Sequence, residues 1–322
     1  MRGGIFPAAR RNPLVTEFLQ HLVNGISLGT IYALIALGYT MVYGVLKLIN
    51  FAHGDVYMVG AFAGFYFATA TAKQQPTFIR AVLITLGSMV ICGLLGWAIE
   101  RFAYRPLRQR PRLTALITAI GVSFLLEYGF QLQFPGSWFP PGPTPRFFPE
   151  LLPRYTLEWP NRFGVSLSNY DVIAFCVAIA LMVGLQWIVY RTRFGTAMRA
   201  VSFDAQVAGL MGIPVNRIIS GTFILGSVLA AAAGVINAST HPRIEPLFGL
   251  IPGLKAFVAA VLGGIGSVPG AMVGGLVLGL AEEYVAGYAL SSYRDAIAFT
   301  VLIVVLLFRP TGIFGRVTVE KV

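Results

Sequence analysis

Asn50, His53 and Asp55 stand with Gly54 in the run Ile49-Asn50-Phe51-Ala52-His53-Gly54-Asp55, which interrupts a long apolar stretch. In hydrocarbon, polar side chains are expensive and mark solute or ion paths. Asp55 has a second, purely local use, because a carboxylate in the first turn of the following helix meets free N–H groups and the positive end of the dipole. A counterpart break lies far downstream, Gly263-Gly264-Ile265-Gly266-Ser267-Val268-Pro269-Gly270. Its backbone groups need a neighbouring helix, water or a ligand to satisfy them. Gly263, Gly264, Gly266 and Ser267 therefore join Asn50, His53 and Asp55 as candidate path-lining residues.

Other chemistry is sparse. The GxxxxGK(S/T) pattern is absent, so the glycine run is no phosphate cradle and the chain is not expected to bind ATP itself. Glu127, Glu282 and Glu283 lie in or near apolar windows, where they could relay protons. None has an intramembrane His or Arg at helical spacing, and they read as segment-end or water-facing groups. His21, His53 and His241 lack metal-ligand spacing, and no Ser/His/Asp or Cys/His set shares a polar region. Cys92 and Cys176, isolated in apolar runs, read as small buried hydrophobes. No catalytic residue, metal or cofactor is expected.

A third feature is the polar, basic insert over 191–216, RTRFGTAMRAVSFDAQVAGLMGIPVN, between two stretches long enough to cross a bilayer. Arg193, Gly195, Arg199 and Asp204 interleave with Phe194, Ala197, Met198, Ala200, Val201 and Phe203. The spacing predicts one short amphipathic helix over 195–208, ended by Gly212 and Pro214. Such a helix could lie on anionic lipid. Its Ala/Gly interior, with acid as well as base, favours a protein partner, and the insert reads as a docking element for a soluble motor.

The elements that must position these residues follow from composition. At 56% hydrophobic and only 11% charged, with mean hydropathy +0.74, the 322-residue chain is a polytopic membrane protein rather than a soluble domain. Its net charge of +11 sits in short loops between apolar segments, which excludes a nucleic-acid face. Apolar windows at 18–46, 56–72, 81–100, 113–134, 170–190, 218–238, 247–262, 270–289 and 296–308 predict an all-α transmembrane bundle of about eight or nine crossings, some broken or re-entrant. The first window is too long for a signal segment and is expected to be retained. The whole of 1–322 reads as one membrane domain, with an N-terminal segment at 1–17 and an external loop at 135–169 rich in Pro, Trp and Phe, an interfacial cover.

Basic loops at 101–112, 191–217 and from 309 onward should be cytoplasmic. Counting crossings back from them places the N-terminus outside, against the preference of Arg2, Arg10 and Arg11, unless the first long window crosses twice or one segment is re-entrant. A weak internal repeat relates the stretch from Tyr32 to the stretch from Leu254: apolar run, break, small-residue helix, and one crossing later an Arg-Pro pair, Arg105-Pro106 and Arg309-Pro310. GxxxG spacings at Gly60/Gly64, Gly270/Gly274 and Gly275/Gly279 read as helix-packing faces.

Several segments carry a family resemblance: NGISLGTIYALIALGYTMVYGVLKLINFAHGDVYMVGAF, ERFAYRPLR, RFGTAMRAVSFDAQVAGLMGI, LKAFVAAVLGGIGSVPGAMVGGLVLGLAE and RPTGIFGRVTVEKV. Together they resemble the LivH-type permease of bacterial branched-chain amino-acid ABC importers. The resemblance covers nearly the whole chain and is loosest in the first dozen residues and the 135–169 loop. It implies a non-catalytic inner-membrane subunit that pairs with a second, LivM-like permease. Two cytoplasmic ATPases would bind below, and a periplasmic binding protein would deliver leucine, isoleucine or valine. It also implies that Arg193, Gly195, Arg199, Ala200, Asp204 and Gly212 form the element contacting an ATPase, and that the two breaks border the path. Related permeases handle urea, short amides or other amino acids, so the machine is better defined than its cargo. An ion-driven secondary transporter using Asp55 and Glu127, or an aquaporin-like channel, remain alternatives from other classes; neither explains the insert.

Overall fold

The computed structural model describes residues 13–48, 50–72, 74–108, 110–134, 139–158, 165–288, 291–309 and 311–315. Arg2, Arg10, Arg11, Pro310, the tail from 316 and parts of the 135–169 loop lie outside them. Every apolar window becomes a helix. These are α1 (Pro13–Leu46), α2 (His53–Ala70), α3 (Phe78–Ala98), α4 (Arg112–Gln131), α5 (Asn169–Arg191), α8 (Val215–Thr240), α9 (Leu250–Gly263), α10 (Val268–Tyr288) and α11 (Arg294–Phe308). The insert supplies α6 (Arg193–Phe203) and α7 (Ala205–Leu210). Among the described residues, seven helical spans are long and apolar enough to cross a membrane. The windows that became α2 and α9 fall outside that set, and α9 at about 21 Å is shorter than a hydrocarbon core of about 30 Å.

The core is built around α1, whose run from Gly25 to Val45 is almost wholly buried. Small residues make that possible. Gly275 and Gly279 of α10 lie against Ala33 and Gly29 of α1, Gly60 and Gly64 of α2 against Ala231 and Val235 of α8, and Gly274 against Ala259 of α9. The GxxxG spacings are thus packing faces, where backbones approach closely without a hydrophobic driving force. α4, α5 and α11 are peripheral, and leave Ile117, Leu125, Val183, Trp187 and Leu307 exposed, as lipid-facing helices do.

The ends of the helices sort onto two faces. On one, Ser202 of α6 donates to the Gly44 carbonyl of α1, Arg108 donates to Asn216 at 2.7 Å, and Ile313 N–H donates to the Leu262 carbonyl at 2.9 Å. All three basic loops meet there, on the face that the positive-inside rule expects to be cytoplasmic. On the other, Gln20 of α1 bonds Ser166, Asn24 bonds Glu283 at 3.1 Å, and Arg154 bonds the Ser239 carbonyl at 3.0 Å. α1 therefore starts on the face opposite the three basic loops. The outer loop is not shapeless: β1 (Arg146–Phe147) pairs with β4 (Arg243–Ile244), and β2 (Thr156–Glu158) with β3 (Ser166–Ser168), both antiparallel.

Candidate functional site

The first break is a re-entry. After α1, Lys47 takes a left-handed φ of 52°, and the chain turns back so that α2 begins beside Gly38 and Gly226, well inside the bundle. α9 also begins within the bundle, and the two short helices meet through Gly54, Gly249 and Gly253. A Cβ on Gly54 would lie 2.6 Å from the Gly249 carbonyl oxygen, so only glycine permits this approach.

Around this meeting point lies a cavity of about 150 Å³ whose lining includes Gly54, Asp55, Ser123, Glu127, Ile120, Leu250 and Leu254. Asp55 lies in the first turn of α2, where its carboxyl meets its own backbone N–H; it also accepts a hydrogen bond from the Ser123 hydroxyl of α4 and lies within hydrogen-bond reach of the Glu127 carboxyl. Asp55 and Glu127 are 2% and 3% exposed. Asn50 and His53 are elsewhere. Asn50 accepts from the Tyr104 hydroxyl at 2.9 Å, and His53 packs edge-on against Tyr39 at 4.7 Å between ring centres. Of the first break's three polar residues, only Asp55 faces the cavity.

The second break does not join it. Gly263, Gly264, Gly266 and Ser267 form the turn between α9 and α10 at the cytoplasmic face, where φ of 98° at Gly264 and 96° at Gly266 requires glycine. The chain after α11 covers this turn: Ile313 and Phe314 N–H groups donate to the Leu262 and Gly263 carbonyls at 2.9 and 3.0 Å. Ser267 Oγ accepts from Gly270 N–H at 3.1 Å. Neighbouring backbone, rather than a ligand, satisfies these groups.

The insert is two helices, not one. Asp204 interrupts it, its side chain accepting from Gln206 and Val207 N–H at 2.8 and 2.9 Å as the N-cap of α7. α6 lies on the bundle through Gly195, Met198 and Val201, and Gly195 is pressed against the Ile188 and Val189 carbonyls of α5. Arg199 folds back, donating to the Val189 carbonyl with its guanidinium 5.4 Å from the centre of the Tyr190 ring. Ala200 is half-buried, and Gly212 has φ of 83° in open space. Arg193 is exposed. Among the exposed polar residues of the insert stand large apolar ones: Phe203 is 93%, Leu210 88% and Met211 79% exposed. Sequence reasoning passed over Leu210 and Met211, although apolar residues in an otherwise polar loop were the available signal.

Two buried ionic clusters also escaped that reasoning. Glu100, fully buried, accepts from Arg105 at 3.2 and 3.1 Å, from Arg108 and from Ser220, tying the end of α3 to the start of α8 beside the insert. Glu282, also fully buried, accepts from Lys255 at 2.9 Å and Tyr32 at 3.0 Å. Glu283 accepts from Arg294 at 2.6 Å. Glu282 is thus walled off from water, Glu283 lines a polar pocket at the bundle's end, and the groups facing Glu127, Glu282 and Glu283 come from other helices, which spacing along one segment cannot reveal.

The sequence pattern of the family described as "Branched-chain amino acid transport system / permease component" matches residues 21–306. BraD of Pseudomonas aeruginosa, a high-affinity branched-chain amino acid transport system permease protein, is 44% identical over 313 residues, spanning 96% of this chain and 100% of BraD. LivH of Escherichia coli K12, described in the same words, is 42% identical over 308 residues, 95% of this chain and 98% of LivH. LsrC of Yersinia enterocolitica, an autoinducer 2 import system permease protein, is 29% identical over 206 residues, 61% of this chain and 53% of LsrC.

Proposed function

The chain belongs to the branched-chain amino-acid transport system permease family, and from that membership we propose that it is one of two permease subunits of an ATP-driven importer in a bacterial inner membrane, carrying leucine, isoleucine or valine. In this reading the chain is one transmembrane unit. The 135–169 loop faces a periplasmic binding protein, the 191–216 insert faces a cytoplasmic ATPase, and a LivM-like permease completes the path. ATP is hydrolysed by the separate ATPase subunits, and the chain itself needs no cofactor.

The observation that carries the coupling reading is the exposed apolar group Phe203, Leu210 and Met211 on a braced basic insert at the cytoplasmic face. Exposed large apolar side chains clustered in a polar rim mark a protein contact. Arg199 and Asp204 support this element by holding α6 to α5 and starting α7; the contact itself falls to Arg193 and the apolar residues. Asp55 borders the path, with Asn50, His53 and the Gly263, Gly264, Gly266 and Ser267 turn shaping its surroundings. A transporter that alternates access gains nothing from tight substrate binding in both states, so the driving force must come from differential ATPase contacts.

The test is to co-express the chain with its ATPases and second permease, purify on this chain, and ask what accompanies it. A stable complex supports the reading. A lone chain that moves leucine without ATP would instead support the secondary-transporter or channel alternatives.

A further inference from the structure

The cavity where α2 and α9 meet combines three features. Two buried carboxyl groups from different helices, Asp55 and Glu127, face it together. Among the described residues Glu127 Oε1 finds no donor beyond the adjoining Asp55 carboxyl, which is itself served by Ser123. The rest of the wall is largely apolar, with Ile120, Leu250 and Leu254 among its residues. The N-terminal ends of two helices, one of 18 and one of 14 residues, lie at its edge, so positive dipole ends adjoin the carboxyls.

A buried acceptor oxygen left without a donor costs about 1–3 kcal/mol, more if charged. A primary ammonium supplies three donors and the compensating charge. A metal ion or shared proton would also satisfy the oxygens, but neither uses an aliphatic wall, and neither has a use for dipole ends that favour negative charge. An amino-acid zwitterion with a branched apolar side chain uses all three features.

We propose that this cavity is a transient station for the amino acid in transit, with Glu127 and Asp55 accepting its α-ammonium group and Ile120, Leu250 and Leu254 receiving its side chain. The proposal rests on the import reading above and assigns its substrate class to particular atoms.

The experiment uses the complete importer in liposomes, with Glu127→Gln as the variant, which keeps side-chain size. The expected result is leucine uptake reduced about 10- to 100-fold, the loss of one charge-assisted hydrogen bond, with subunits copurifying at wild-type yield. A second measurement separates binding from structure. In a Cys176→Ser background, where Cys92 is buried, Ser123→Cys is labelled with a cationic aminoethyl or an anionic sulfonatoethyl methanethiosulfonate. The cation should react at least about tenfold faster, 3-methylbutylammonium should slow it, and Glu127→Gln should erase the preference. Equal rates for the two reagents, or unimpaired uptake by Glu127→Gln, would overturn the station. A wild-type complex that imports no leucine would overturn the import reading itself.

Discussion

At the scale of single residues, Glu100 carries the greatest structural burden. It is fully buried and holds two arginines and Ser220. Replacing it by alanine leaves cations without their counter-charge, at a cost of about 3 kcal/mol. We expect Glu100→Ala to lower the Tm of the purified complex well beyond the effect of an exposed substitution such as Glu245→Ala. Asp204 separates capping from contact: Asp204→Asn keeps an N-cap acceptor, whereas Asp204→Ala loses about 1 kcal/mol. Uptake is expected to survive the first change better than the second, with hydrogen exchange at Gln206 and Val207 rising only in the second. His241, on the outer face, has its pKa lowered, chiefly by burial, with Arg154 and Arg294 adding to the effect and Asp171 opposing it. The unfolded chain then binds more protons than the folded one, so stability rises with pH. This contribution is complete above the ordinary His value of about 6.5 and declines as pH falls below it. Thermal melts from pH 7.5 to 5.5 should show that decline, and His241→Gln should remove this component of it.

At the scale of elements, the insert is held by backbone proximity. Gly195→Val would force a side chain into the Ile188 and Val189 carbonyls, which a Cβ alone would approach to 2.2 Å. It should displace α6 and abolish uptake. The outward residues give the opposite pattern: Phe203→Glu with Leu210→Glu changes only exposed positions and should leave the chain folded. Copurifying ATPase should nevertheless fall at least about tenfold, in keeping with the loss of an interface anchor. Unchanged copurification would remove the insert from the contact. This element was only half legible in the sequence. Its amphipathic spacing and polarity gave a helix on the cytoplasmic face, but Asp204 caps a second helix that the single-helix reading absorbed. Nor does a sequence disclose that the guanidinium of Arg199, an exposed residue, also reaches back to α5.

At the scale of the molecule, apolar windows delivered every long helix and the basic loops their common face, because length and hydropathy are local properties. It did not deliver depth. That α2 and α9 begin inside the bundle depends on Gly54, Gly249 and Gly253 meeting across the chain, and the groups facing Glu127 and Glu282, like Ser220 against Glu100, are likewise contacts between helices. The most direct test of the central claim is leucine uptake by liposomes holding this chain with its second permease and ATPases, with internal and external nucleotide controlled. The account requires uptake that needs both ATP at the cytoplasmic face and the binding protein outside. Equal uptake without ATP, or uptake collapsed by an ionophore instead, would contradict it.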